Sequence, residues 1–348
     1  MEEAFIECNR VLRPGMPLVC VYAHKTTAGW STLINALMKA GFVVVEAWPV
    51  DMERKVRQNA QNTAALASSI LLVARKREDA STGSYENEVR TELDKIVRER
   101  VESLWNMGIT GGDLVIAAVG AGLRAFTRFS RVEYANGEEV LAEKFLAEVE
   151  GVVLETMMAK LFGITGGNVS VVDPASRFYV LWRFVYKTAE IDAGEAIVFT
   201  YSQHVELDGH QGLSPGRDAL VEKKKAKYRA RDFSERGQHE KLGIQDNNGQ
   251  PAPLIDVLHR ILWLIENSPR KLSEFLDEVR PDRERLRVLA QTLAGAVLSG
   301  KTEQEAERLV STTPAEQAAL SKLLANWRNL IESQLVAAEE GLFGKIGR

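Results

Sequence analysis

The chain has 348 residues, 45% hydrophobic and 26% charged, with a net charge of −4. This is the composition expected of a soluble globular protein with room for two domains. No stretch approaches the ~18 uninterrupted apolar residues of a membrane span, and the net charge gives no global attraction to nucleic acid, so any such surface must be a local patch.

The opening "MEEAFIECNRVLRPG" is acidic and amphipathic and lacks the basic-then-apolar build of a signal peptide. Phe5, Cys8, Val11 and Leu12 give a short helix an apolar stripe that Arg13-Pro14-Gly15 ends. Cys8 and Cys20 have no metal-ligand spacing, read as buried structural thiols and fit a reducing cytoplasm; no metal is expected. "PLVCVYA" (17–23) is a continuous apolar run, as in a strand buried on both faces of a parallel sheet. Thr26 or Thr27 offers an N-cap to a helix with Trp30, Leu33, Ile34, Leu37 and Met38 on one face, and Gly41 sits where a C′ glycine belongs. "FVVVEAW" (42–48) and "SSILLVARK" (68–76) are the next strands. The stretch between them is rich in amides, Gln58, Asn59, Gln61 and Asn62 among them.

In an open α/β sheet, ligands sit outside the carboxyl ends of the strands. His24, Lys25, Thr26 and Thr27 follow the first strand and Trp48 to Asp51 end the second. If 68–76 runs antiparallel as a terminal partner, its start (Ala67, Ser68, Ser69) joins them, and three segments converge on one rim.

After the turn-like "EDASTGS" (78–84) helical period dominates: 86–107, 113–129, 137–162, 176–202, 253–266, 269–279, 282–298 and 314–345. The expected organisation is α/β over 1–77, a helical domain over 84–202, a polar, partly basic irregular segment over 203–252, and a helical C-terminal region over 253–348.

"RVLRPGMPLVCVYAHK", then "TTAGWSTLINALMKAGFVVVEAWPV" and "QNTAALASSILLVARKR", resemble the closing part of the methylase domain of zinc-ribbon-containing adenine-specific DNA methylases. The likeness continues as a weaker pattern through "LWNMGITGGDLVIAAVGAGLRAFTRF", "SRFYVLWRFVY" and "PLIDVLHRILWL". It implies α/β plus all-α architecture: the late strands of a partial Rossmann-like methyltransferase sheet, followed by a large helical domain. It also implies S-adenosylmethionine as cofactor and DNA as partner. His24, Lys25, Thr26, Thr27, Trp30, Trp48, Asn62, Ser68 and Ser69 would then line the cofactor or base rim. The chain departs from that family in having no Asp-Pro-Pro-Tyr, no early glycine-rich cofactor motif and no zinc-spaced cysteines. The catalytic residues are therefore unknown. The expectation is a C-terminal portion, truncated, split or decayed, inactive alone and needing an upstream methylase segment or subunit to complete the sheet, or else self-associating through its open edge.

Three further features carry a bland and a sharp reading. Gly120-x-Gly122-x-x-Ala125 would be a nucleotide fingerprint only if 113–119 were a strand; Ala117, Ala118 and Ala121 favour a tightly packed helix. Lys223, Lys224, Lys225, Lys227, Arg229 and Arg231, with Tyr228 and Phe233 interleaved, suit phosphate neutralisation with base stacking, or form a solvated charged face. Phe178, Tyr179, Trp182, Phe184 and Tyr186 read as core rather than as a stacking platform, and His259 as a helix residue. The alternative to the methyltransferase reading is a non-catalytic DNA-binding or interaction module.

Overall fold

The computed structural model describes residues 1–22, 27–50, 69–109, 111–162, 172–193, 196, 199–200, 205–209, 212–245, 249–295 and 312–332. The chain forms two compact units, Met1–Met157 with Ile197–Ser202, and Met158–Ala196 with Gln203–Arg348. Its character is mixed α/β with small sheets and many helices.

The first unit opens with α1 (Glu2–Val11), β1 (Leu18–Tyr22), α2 (Thr27–Lys39), β2 (Phe42–Val50) and β3 (Ser69–Lys76). β3 pairs antiparallel with both other strands, so β1 and β2 run parallel and are joined by α2. Two expectations change here. The strand 68–76 is not a terminal partner: it lies between the other two, in the order β1-β3-β2. Nor is β1 buried on both faces. Leu18, Cys20 and Tyr22 are half-buried, while Val19 and Val21 on the opposite face are each 51% exposed. β1 is a sheet edge with a strand on one side only among the described residues, and its alternation turns one face towards α2, where Tyr22 meets Trp30, and leaves the other open.

α2 buries Trp30, Leu33, Ile34 and Leu37. It stops where Gly41 takes φ +76° and its amide bonds the Met38 carbonyl at 3.0 Å, a left-handed end that glycine adopts without Cβ strain. α1 docks beside it through the edge-on Phe5–Phe42 ring pair and Asn9 Nδ2 to the Gly41 carbonyl (3.2 Å), yet buries no residue of its own.

β4 (Thr82–Ser84) leads through a π-helical turn (Tyr85–Val89) into α3 (Arg90–Asn106), followed by α4 (Gly111–Thr127). α4 is a helix across 113–119, which removes the nucleotide-fingerprint reading. Its small residues do packing instead. A Cβ on Gly120 would lie 2.4 Å from Ala47 Cβ on β2, and one on Gly122 would lie 2.7 Å from Val149 and 3.0 Å from Leu93. A β-bulge between Val44 and Glu46 frees the Val44 amide to donate to Thr127 Oγ1 at 2.9 Å. Arg77 bonds the Phe42 and Thr127 carbonyls (3.2 and 2.9 Å). The sheet therefore shares one core with helices beyond the turn at 78–84, in place of a separate 1–77 layer. The helix expected from residue 137 begins at Ala142, because 131–140 forms β5 (Arg131–Glu133), parallel to β4, and a turn through Gly137 (φ +82°). α5 (Ala142–Leu161) then adds Phe145, stacked on Phe126 at 4.4 Å.

The second unit contains α6 (Pro174–Tyr186), capped by Asp173 and started by Pro174. The helix expected over 176–202 ends here: Lys187 turns to φ 53°, and Ile191–Asp192 becomes β6. The segment expected to be irregular at 203–252 holds a hairpin, β7 (Val221–Lys224) and β8 (Lys227–Ala230), giving a sheet of order β6-β8-β7. The short α7 (Phe233–Arg236) has a complete capping box from Asp232 and Glu235. α8 (Leu254–Asn267), α9 (Leu272–Val279), α10 (Arg283–Leu293) and α11 (Pro314–Ala325) follow, and a π-helical turn closes the described part (Arg328–Glu332). Phe178, Tyr179, Trp182 and Phe184 are buried core, as the helical spacing indicated. Among the described residues no helix is long and apolar enough to cross a membrane, and no group of three or more His, Cys, Asp or Glu could hold a metal.

Candidate functional site

The sheet register fixes the candidate rim. Tyr22 at the end of β1 pairs with Ile70, and Val50 at the end of β2 pairs with Ser69. The carboxyl ends of both parallel strands and the start of β3 thus share one end of the sheet, where the chain enters α2 at Thr27. Tyr22 braces this end. Its hydroxyl donates to the Gly29 carbonyl at 2.8 Å, and its ring meets Trp30 edge-on at 5.3 Å. Burial, with the Cys20 thiol adding to it, pushes the Tyr22 hydroxyl pKa up, so it stays a neutral donor.

Of the expected rim residues, Trp48 is the one whose side chain the described rim presents. Its indole is 37% exposed, with the Arg100 guanidinium 4.1 Å above the ring. Arg100 Nη2 also donates to the Ala47 carbonyl at 2.7 Å and lies 3.1 Å from Glu46 Oε2. The hydrogen bond goes to the carbonyl and the carboxylate contact is electrostatic. Trp30 is buried against Tyr22 and cannot stack on an incoming ring. Thr27 and Ser69 are placed by their backbones at the starts of α2 and β3. His24, Lys25, Thr26, Asn62 and Ser68 lie outside the described residues. Sequence reasoning missed Arg100, although the signal was present. Leu93, Val97, Val101 and Leu104 form the buried stripe of α3, and Arg100 stands seven residues after Leu93, within that stripe.

The basic run is largely neutralised. Lys223 pairs with Asp208 (2.6 Å), Lys224 with Glu222 (3.2 Å), and Arg229 with both Glu222 and Glu235 (2.6 Å each). Arg231 bonds the Arg217 and Glu235 carbonyls at 2.9 Å. Tyr228 and Phe233 are buried, and the Tyr228 hydroxyl is spent on Asp208 at 2.6 Å, so neither ring is presented for stacking. Lys225 and Lys227, at the hairpin turn, and Arg231, bonded to carbonyls, are the members of the run without a carboxylate partner among the described residues. Hydrogen bonds from Lys223, Ser214 and Tyr228 hold the Asp208 carboxyl down at about 2.

The second unit also holds a largely buried polar chain that sequence reasoning missed. Glu316 on α11 accepts from Tyr179 (2.8 Å) and Arg183 (3.2 Å) on α6, and its Oε1 lies 3.2 Å from His259 Nε2 on α8. Arg236 reaches His259 Nδ1 at 3.3 Å and donates to Asp256 at 2.7 Å. A guanidinium can only donate, so Nδ1 is the acceptor and Nε2 carries the proton given to Glu316. Burial lowers the His259 pKa, keeping the ring neutral. Burial pushes Glu316 up, but the His259 hydrogen bond and the Arg183 charge outweigh it and leave the carboxyl below its ordinary value. Tyr179, Arg183, His259 and Glu316 are sealed from solvent and join helices, while Asp256 at the far end is 20% exposed. A cavity of about 990 Å³ opens beside Arg236 and Asp256, walled by Pro174, Leu213 and Pro253.

Comparison with protein-family models, with curated proteins and with solved structures yields no match for this chain.

Proposed function

We propose that the chain is part of an S-adenosylmethionine-dependent DNA adenine methyltransferase, supplying late sheet elements and a helical, DNA-contacting region. The observation that carries this reading is the rim. Two parallel strands end, and an antiparallel third begins, at the same edge where the methylase-like segments fall. Trp48, half-covered by Arg100, presents an aromatic surface there, of the kind that stacks on an extruded base. The described rim does not amount to a cofactor site: its carboxylate, Glu46, is held by Arg100, and the sequence carries no glycine-rich cofactor motif or Asp-Pro-Pro-Tyr. No step of methyl transfer is therefore assigned to these residues, and catalysis would require a segment that supplies both motifs.

The test mixes the purified chain with isotopically labelled S-adenosylmethionine and adenine-containing DNA. No transfer is expected from the chain alone, with a weak, salt-sensitive gel shift on the DNA. Methyl transfer by the chain alone would overturn its assignment as a non-catalytic part. Absence of any shift at low salt would remove the DNA contact. The second reading, an interaction module, is favoured by one observation, the exposed apolar side chains on α1 and β1.

A further inference from the structure

The two edges of the main sheet are built differently. β2 carries the devices that discourage strand addition: a bulge between Val44 and Glu46, a charge at Glu46, a proline at 49 with no amide to donate, and Arg100 already on the Ala47 carbonyl. β1 has none of these. Its five residues, Leu-Val-Cys-Val-Tyr, are uncharged and regular, no described strand pairs with its outer edge, and Val19 and Val21 stand half-exposed beside it. The backbone N–H and C=O groups along a sheet edge are a ready template for pairing with another strand.

We propose that this edge pairs with β1 of a second copy, antiparallel and centred on Cys20. The pattern of β1 is its own complement in that register. Leu18 meets Tyr22 of the other copy, Val19 meets Val21, and Cys20 meets Cys20, so the half-buried residues share one face and the exposed valines the other. A one-residue slip would set exposed valines against the half-buried face. The result is a continuous six-stranded sheet from two three-stranded ones. Five residues of edge pairing bury much less than the ~1,200 Å² of a standard interface, so the dimer is weak and concentration-dependent. The proposal is independent of the methyltransferase reading. A segment completing that sheet would compete for the same edge.

Directly opposed residues in an antiparallel pair have Cα atoms about 4.5–5.5 Å apart, within disulfide reach of ~4.4–6.8 Å. The test is sedimentation of the full chain at about 5 and 100 μM, followed by oxidation with Cu(II)-phenanthroline, run mildly alkaline because burial raises the Cys20 thiol pKa. A concentration-dependent dimer is expected, cross-linked in Cys8→Ser but not in Cys20→Ser. The double variant Val19→Lys/Val21→Lys, at exposed positions, should keep its circular dichroism and lose both dimer and cross-link. A chain monomeric at the higher concentration, a cross-link through Cys8 alone, or one indifferent to the two lysines overturns the proposal. None of these outcomes bears on methyl transfer.

Discussion

All nine large apolar side chains that stand exposed among the described residues, from Met1 to Leu141, belong to the unit that holds the β1-β3-β2 sheet. The buried charged side chains among the described residues, Arg183, Asp232, Arg236, Arg260 and Glu316, with His259, all belong to the other unit. One unit leaves apolar groups in water and the other takes charges out of it. Both arrangements are unfavourable unless something compensates. In the second unit the compensation is internal: a chain of charge-assisted hydrogen bonds from Glu316 to Asp256, and the Gly237 carbonyl for Arg260. In the first it is not found within the described residues, which is why a partner is expected there. The candidate rim accompanies the incomplete surface, not the sealed one.

The contrast breaks most sharply at Glu316. Glu316→Ala leaves Tyr179, Arg183 and His259 buried without their acceptor, and loss of one member of a buried ion pair costs about 3–5 kcal/mol. Urea unfolding followed by site-specific hydrogen exchange should show the loss in α6, α8 and α11, with exchange in β3 unchanged. Glu316→Gln, which keeps an acceptor for Tyr179 but not the charge, should fall between. Equal loss of protection in both units would mean that they are not energetically separate.

The next effect tests the first unit from within. Gly120→Val forces a side chain into Ala47, already 2.4 Å from an added Cβ, and overpacking of this kind costs about 1–3 kcal/mol. Thermal unfolding followed by the fluorescence of Trp30 and Trp48 should shift downward, while α6, α8 and α11 keep their exchange protection. A neutral Gly120→Val would show that the sheet and α4 can part without loss.

How much of this was legible in the sequence depended on the range of the interaction. The three strands, the apolar face of α2 and its glycine stop follow from local period and turn chemistry, and they emerge where the pattern put them. The strand order did not, because an apolar run such as "PLVCVYA" reads alike at a sheet centre and at its edge; only the pairing with β3 separates them. Lys187 gave no local sign that α6 would end there, since a positive φ at lysine is imposed by tertiary context. The basic run was legible as composition, but its neutralisation by Asp208, Glu222 and Glu235 depends on contacts up to 15 residues apart. Glu316 lies 137 residues from Tyr179, and nothing local marks it as buried.

A smaller effect sharpens the rim. Arg100→Ala removes the hydrogen bond to the Ala47 carbonyl and the cation over Trp48, together about 1–2 kcal/mol. Trp48 emission should move to longer wavelength as the indole opens to water. Arg100→Lys should recover part of the stability but not the emission, because an ammonium lacks the planar stacking face. An unchanged spectrum in Arg100→Ala would show that the indole does not depend on this cation.

The smallest effect lies in the hairpin of the closed unit, where charges sit at the surface. The Asp208 carboxyl is held at about 2 against a usual 3.8 by Lys223, Ser214 and Tyr228. A depressed carboxyl contributes its stabilisation in full above its unfolded value and loses it as pH falls towards the folded one. The Lys223–Asp208 contact should therefore hold at neutral pH and fade between about pH 4 and pH 2. Both side chains are close to half-exposed, so solvent screening keeps the effect the smallest of these. Asp208→Asn should flatten this acid limb while leaving the limb set by Glu316 and His259 in place. Nuclear magnetic resonance titration of the Tyr228 ring signals follows the hairpin locally, and an acid midpoint near an ordinary carboxylate value would show that the contact is not formed in solution.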